Sequence, residues 1–584
     1  MQTNWNLNDL YEGFKGKYEN DLLKLKETVN QYKVSVNQKS LDSITYIENV
    51  LKIEEQITIL ATKLISYPQL IQSTNVNNED CPKYISKVIT ILNELTASQV
   101  DFSKYLVKVD LSNLDSELIN EYRFILNKRQ ENAKHLLSKK EEIMYAKLSE
   151  LASSSWDELQ SLTTANLLLD FEGKKITLSE VRNLAYDNNQ ETRKKAYEVE
   201  LKGYETIEAF TALALSNIKR EVTYITKLRK YKTPLEHSLT VCSMQKKSLD
   251  ALISAMKDYR PYFAKYFKAK AKYLGYKKSL PFYEMFAPVG KLEKTYTYQE
   301  ARELVCSAYY SFSQKLGDFA SKAFDNAWID VYSQKGKVGG AFCSNLAPIK
   351  QSRILTNFTG SLSDCLTLAH ELGHAYHGEI IQDNAPLNID YPMELAETAS
   401  IFCETITNNY LLKEFTKPEE RLSILENSLQ GDAQVIIDIL SRYIFETNLL
   451  KKANGPVSSN EMKEMMLKAQ KEAYLDGLDS KLLHPYMWLC KGHYYSAGFN
   501  FYNFPYAFGL LYGKGLYAQY QKDSVSFLKS YDEMLKLTTS ATAEEVALSM
   551  NIDITKKDFW LSSLEVIKKD IDEVIKLFEE LQNK

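Results

Sequence analysis

Residues 365–377 read CLTLAHELGHAYH, an HExxH (His370-Glu371-Leu372-Gly373-His374) set on an apolar background. At 100° per residue, positions i and i+4 lie only about 40° apart around a helix. His370 and His374 therefore project side by side and can reach one ion. Glu371 stands next to them, where it can hold a metal-bound water and take its proton. Chance supplies roughly 0.01 such matches in a chain of this composition. The stretch is accordingly read as a metal-binding helix rather than a surface helix with two accidental histidines.

A hydrolytic zinc centre needs a third protein ligand and an open fourth position. The extended form HExxHxxGxxH is absent, because its glycine position holds His377 and its last histidine position holds Ile380. A downstream carboxylate is the other solution. YPMELAETASIFCE (391–404) reads as a helix opening at Pro392, and it offers Glu394, Glu397 and Glu404. Glu394 sits in the first turn, where the helix dipole already favours a carboxylate. Glu397 and Glu404 are seven residues apart and share a face that is otherwise small or apolar. Glu397 is taken as the third ligand and Glu404 as the group orienting a ligand histidine. His377 shares the stripe one turn beyond His374, too far along the axis to complete the same ion site. A place in a substrate cleft and simple packing both suit it.

Outward from this centre, composition sets the class. The 584 residues include only 21 glycines and 13 prolines, about 3.6% and 2.2% against typical values near 7% and 5%. A chain so poor in helix breakers is expected to be mainly α. With 72 Lys+Arg against 76 Asp+Glu, it lacks the basic footprint of a nucleic-acid binder. No apolar run reaches the ~18 residues of a membrane span. The start, MQTNWNLNDLYEGFKG, shows no secretory signal pattern. Seven scattered cysteines with no CxxC fit a reducing cytosol better than a disulfide framework.

Helical spacing from Ile44 to Leu64 predicts a helix ending at Tyr67-Pro68, and a second run spans about 118–151. LLLDFEGKKITL (167–178) reads as two short strands around Glu172-Gly173, after which Ser179 caps a helix. Helix continues to about Arg229 with a break near Asn188-Asn189. Short β-leaning runs occupy 326–360, and helices resume at Ser361. Leu564, Ile567, Ile571, Val574, Phe578 and Leu581 form an apolar stripe expected to dock on the protein's own body. Lys265–Lys278 reads as a solvated helix face. The domain expectation is an N-terminal helical lobe over 1–195 and a catalytic region over 196–584.

A second constellation lies at 491–515, KGHYYSAGFNFYNFPYAFGLLYGKG. Its phenylalanines read as core. His493, Tyr502 and Tyr506 carry polar ends that a dry core would have to satisfy. Amide hydrolysis passes through a tetrahedral oxyanion that benefits from such donors.

HELGHAYH, LAETASIFCE and the HYY…FYNFPYAFG segment together resemble the M3 zinc metallopeptidases, in particular the oligoendopeptidase F branch. The GGAFC run at 339–343 resembles that branch as well. This likeness covers about 339–515. It implies a mainly α, two-lobed fold around a deep central channel, with a small β-sheet beside the zinc helix. It implies one Zn2+ per chain on His370, His374 and Glu397, with Glu371 as general base and Glu404 behind a ligand. His493 and Tyr506, with Tyr502 next, carry the substrate-binding and oxyanion roles. Gly339, Gly340 and Ala341 are expected to run alongside the substrate backbone, and His377 to belong to the cleft. The implied activity is internal cleavage of short unstructured peptides by a cytoplasmic hydrolase, either monomer or dimer, without nucleic-acid or membrane partners. An exo-acting peptidase and a non-catalytic peptide binder are the competing readings.

Overall fold

Helices carry most of the chain, as the scarcity of glycine and proline requires; the computed structural model describes residues 2–290 and 294–583. Five short strands occur among these residues. β1 (Leu168–Phe171) and β2 (Lys174–Thr177) pair as an antiparallel hairpin. Glu172 and Gly173 both take positive φ, 56° and 79°, which suits the tight turn predicted there. β3 (Ile329–Asp330), β4 (Phe342–Leu346) and β5 (Gln351–Leu355) form a sheet in the order β3-β5-β4. β5 runs parallel to β3 and antiparallel to β4, so β4 is an edge strand. No helix among the described residues is long and apolar enough to cross a membrane.

The chain groups into two compact units, each drawn from three segments. One comprises Met1–Lys139, Lys294–Tyr410 and Gln519–Ile552; the other comprises Lys140–Glu293, Leu411–Ala518 and Asp553–Lys584. These units interleave along the sequence, whereas the division expected at 195/196 cuts it once.

In the first unit, helices Lys17–Asn37 and Ser43–Thr74 bury Leu25, Tyr46, Val50, Leu51 and Leu64 in an apolar cluster that also takes Leu346 of β4 and Leu355 of β5. The second of these helices does not stop at Pro68, contrary to the expectation from its sequence; it runs on to Thr74. Proline has no N–H, which frees the carbonyl four residues earlier and normally breaks the helix. Here that carbonyl belongs to Leu64, and the buried Tyr18 hydroxyl donates to it at 2.8 Å. The second unit repeats the device. Helix Lys246–Tyr273 passes through Pro261, and Arg260 Nε donates to the freed Lys257 carbonyl at 2.8 Å.

The expected run at 118–151 is three helices, Glu117–Glu121, Arg123–Ala133 and Lys139–Leu151. Its first break sits where Arg123 donates to the Leu111 and Leu114 carbonyls, a tie that periodicity cannot reveal. The cap after the hairpin is Thr177, in a capping box with Glu180, two residues before the expected Ser179. In the second unit the C-terminal helix Lys557–Gln582 buries Leu564, Ile567, Ile571, Val574 and Phe578. It packs on Lys246–Tyr273, with the Tyr273 and Phe578 rings 4.6 Å apart. The stripe thus docks on the protein itself. Lys270 departs from the solvated face expected for its segment: it is buried and ion-paired with Glu426.

Removing the Tyr18 hydroxyl leaves the Leu64 carbonyl buried without a donor. Tyr18→Phe is therefore expected to cost about 1–2 kcal/mol in urea unfolding of this unit, with no change in bound metal.

Candidate metal centre

The HExxH lies on helix Leu362–Ile381 of the first unit. Ser361 caps this helix in a reciprocal box with Asp364. Two glycines let it approach its neighbours. A Cβ on Gly373 would come within 2.6 Å of Ser400 Cα and 2.8 Å of the Ala399 carbonyl, and one on Gly378 within 2.3 Å of Asn345 Oδ1 on β4. Tyr309 donates to the Ala369 carbonyl just before His370. Helix, strand and following helix are thereby locked in register.

Glu397 arrives from the chain break between helices Met393–Ala396 and Thr398–Glu414. Its Oε2 lies 3.3 Å from His370 Nε2 and 3.4 Å from His374 Nε2. The ligand atoms of His370, His374 and Glu397 all fall within 4.8 Å of one another, the one such metal-ligating group among the described residues. Tetrahedral zinc with bonds of about 2.0–2.1 Å places its ligand atoms roughly 3.3–3.4 Å apart, so the two imidazole–carboxylate separations fit. Ser400 Oγ donates to Glu397 Oε2 at 2.8 Å. Glu404 Oε2 stands 3.1 Å from His370 Nδ1, which turns the opposite ring nitrogen toward the ion position.

The electrostatics match a cation site. Burial opposes a charge on His370, yet the Glu397 and Glu404 carboxylates override it and push its pKa up to about 10. Burial also opposes the Glu397 charge, but hydrogen bonds and attraction from both histidines hold its carboxyl well below the usual range. Burial raises Glu371, an effect the two histidines offset in part.

The other sequence-derived residues divide. His377 is fully buried: its ring stacks on Tyr391 at 4.1 Å, and its Nε2 lies 2.8 Å from Thr538 Oγ1. Enclosure on all sides removes it from a substrate-facing place and gives it a packing role. Gly339 and Gly340 are exposed immediately before the edge strand, and Gly340 adopts φ 81°. A Cβ on either would meet nothing within 4 Å, so backbone conformation accounts for Gly340. His493, Tyr502 and Tyr506 belong to the second unit. There the two tyrosine hydroxyls are 2.6 Å apart, and Asn503 Nδ2 lies 2.8 Å from His493 Nε2. Burial, then the charges of Arg442, Lys219 and Lys491, pull the His493 pKa down to about 3 and keep it neutral. Sequence reasoning missed Tyr309, Asn345 and Asn503. Only Asn503 left a trace, as a polar residue inside an aromatic run.

A helical chain that converges two HExxH histidines on a downstream glutamate is constructed as a metalloprotease. Residues 183–566 match the model of Peptidase family M3, and residues 112–168 match that of Oligopeptidase F. The chain belongs to peptidase family M3. It is 22% identical to Oligopeptidase PepF of Bacillus subtilis, over 99% of this chain and 87% of that one. With the chromosomal oligoendopeptidase F of Lactococcus lactis subsp. cremoris it shares 25% identity over 98% and 97% of the two chains. The crystal structure of oligoendopeptidase-F from Enterococcus faecium superposes with a TM-score of 0.73 at 17% identity, covering 97% and 99%.

Gly373→Ala tests the register lock. Alanine gains about 1 kcal/mol of helix propensity, but the added methyl meets backbone atoms that cannot rotate aside, at about 1–3 kcal/mol. The variant is expected to melt at lower temperature and to hold metal less tightly than wild type.

Proposed function

We propose that this peptidase is a zinc-dependent endopeptidase that cuts internal bonds of short, unstructured peptides. The convergence of His370 Nε2, His374 Nε2 and Glu397 Oε2 beside Glu371 carries this reading. His370, His374 and Glu397 would hold a zinc ion, which when bound would supply Lewis-acid polarisation of the scissile carbonyl and a lowered pKa for water. Glu371 accepts the proton of the attacking water and returns it to the leaving amine. Its burial favours the first half of that task, because a carboxylate with a raised pKa takes up the water proton more readily. Glu404 accepts from His370 Nδ1–H and keeps the opposite nitrogen unprotonated toward the metal.

The free edge of β4, with Gly339, Gly340 and Ala341 leading into it, is the candidate rail for the peptide backbone, which would add as a further strand. Tyr506 is assigned as oxyanion donor, with Tyr502 as its hydrogen-bonded partner and His493 as a neutral substrate-binding imidazole. We place the enzyme in the cytoplasm, a reading supported by the odd number and wide scatter of its seven cysteines.

Three measurements check this reading. Chelation is expected to abolish cleavage of short synthetic peptides, and added zinc to restore it. His374→Ala and Glu397→Ala are expected to lose bound zinc by elemental analysis, while Glu404→Gln weakens it about 10–100-fold in chelator competition. Tyr506→Phe is expected to lower kcat more than it raises KM, because its bond matters mainly in the transition state; an unchanged kcat removes it from that role.

A further inference from the structure

We propose that a cavity within the second unit, lined by Lys491, Arg182 and Arg442 together with several aromatic rings, is a binding site for a small organic carboxylate. The cavity measures about 210 Å³, and Tyr186, Tyr283 and Phe286 help to line it. Water occupies about 30 Å³ in the liquid, so the space is that of a small organic molecule rather than a bare ion.

Charge selects the sign of the ligand. Arg182 pairs with Glu200 at 2.5 Å, and Arg442 pairs with Asp438. Arg193, also in the wall, is neutralised by Glu284 at 2.6 Å. Lys491 is left over: its carbonyl accepts from Tyr494 N–H at 3.1 Å, but its ammonium has no hydrogen bond or ion pair among the described residues. Burial, and then repulsion from Arg442, lower its pKa, the cost of a half-buried ammonium beside two guanidinium groups that Asp438 offsets only in part. Arg442 is also more than nine-tenths buried, and its Nε has no partner. A carboxylate would supply the missing negative charge and acceptors.

Two further features mark the wall as specialised. Gln434–Asp438 forms a π-helical turn inside an otherwise α-helical run, and both end residues face the cavity. Such turns interrupt regular helical bonding and recur at functional sites. Also lining the cavity, the Tyr186 and Phe286 rings lie 5.0 Å apart, an apolar surface that chloride or phosphate would leave unused. The combination fits an acid with an apolar body, of the size of one acylated amino acid. The site stands two hydrogen bonds from His493, through Arg442 Nη1 to Asn503 Oδ1 at 3.3 Å and Asn503 Nδ2 to His493 Nε2. The carboxylate could be the end of a peptide substrate or a free small acid; the chemistry of recognition is the same.

Calorimetric titration of the zinc-loaded full chain tests the site without needing turnover. N-acetylphenylalanine is the probe and N-acetylphenylalaninamide its neutral control. Saturable binding of the acid is expected, at least tenfold tighter than the amide, lost by at least tenfold in Lys491→Met and retained in Lys491→Arg. Unaltered melting of Lys491→Met separates lost charge from lost fold. Equal binding of acid and amide, no binding of the acid by wild type, or full binding by Lys491→Met overturns the proposal. Hydrolysis of peptide pairs with free and amidated C-termini then assigns the source. A KM increase in Lys491→Met confined to the free acids identifies the substrate's own end, and equal KM values identify a separate acid. Binding with no hydrolysis would count against the endopeptidase reading alone, and hydrolysis with no binding against this site alone.

Discussion

Everything at the metal centre depends on bringing two ligand atoms from one helix and a third from a break between two others to one point. One turn of helix supplies two of them at no extra cost, since residues four apart share a face. The third must come from elsewhere and stop within a few tenths of an ångström. Glu397 achieves this because the backbone breaks at that residue, between Met393–Ala396 and Thr398–Glu414, and because Gly373 lets the second helix come close. Ser400 and Glu404, one and two turns further on, then orient the ligands they touch.

Burial is the opposing force, and the chain handles it by pairing. Glu371 is only 7% exposed, and the histidines beside it moderate the rise in its pKa. In the second unit, Lys219 with Glu446 and Lys514 with Asp432 are buried as hydrogen-bonded pairs at 2.9 Å. Removing one partner of such a pair costs about 3–5 kcal/mol, because the other charge is left behind. Against that pattern the half-buried Lys491 ammonium, with no such partner among the described residues, stands out, and the same logic that explains the pairs points to a missing anion.

The sequence was most informative where a feature is local. The HExxH, the resumption of helix at Ser361, the turn at Glu172-Gly173 and the stripe of the C-terminal helix all follow from patterns within a few turns. Glu397 and Glu404 were also within reach, because seven residues return a side chain to the same face. What spacing could not supply is anything set by distant partners. Pro68 reads as a stop, and only Tyr18, fifty residues earlier, makes it harmless. His377 reads as a companion to the metal helix, and only Thr538 and Tyr391 reveal it as enclosed packing. Units assembled from three separated segments likewise leave no mark in composition.

The most direct test compares zinc-loaded wild type with zinc-loaded Glu371→Gln on a mixed peptide library, read by mass spectrometry. Glutamine keeps the size and loses the base, so both proteins are expected to hold one zinc per chain while only wild type yields internal cuts. Internal cleavage by Glu371→Gln at the wild-type rate would contradict the account, and trimming of terminal residues alone would replace its endopeptidase with an exopeptidase.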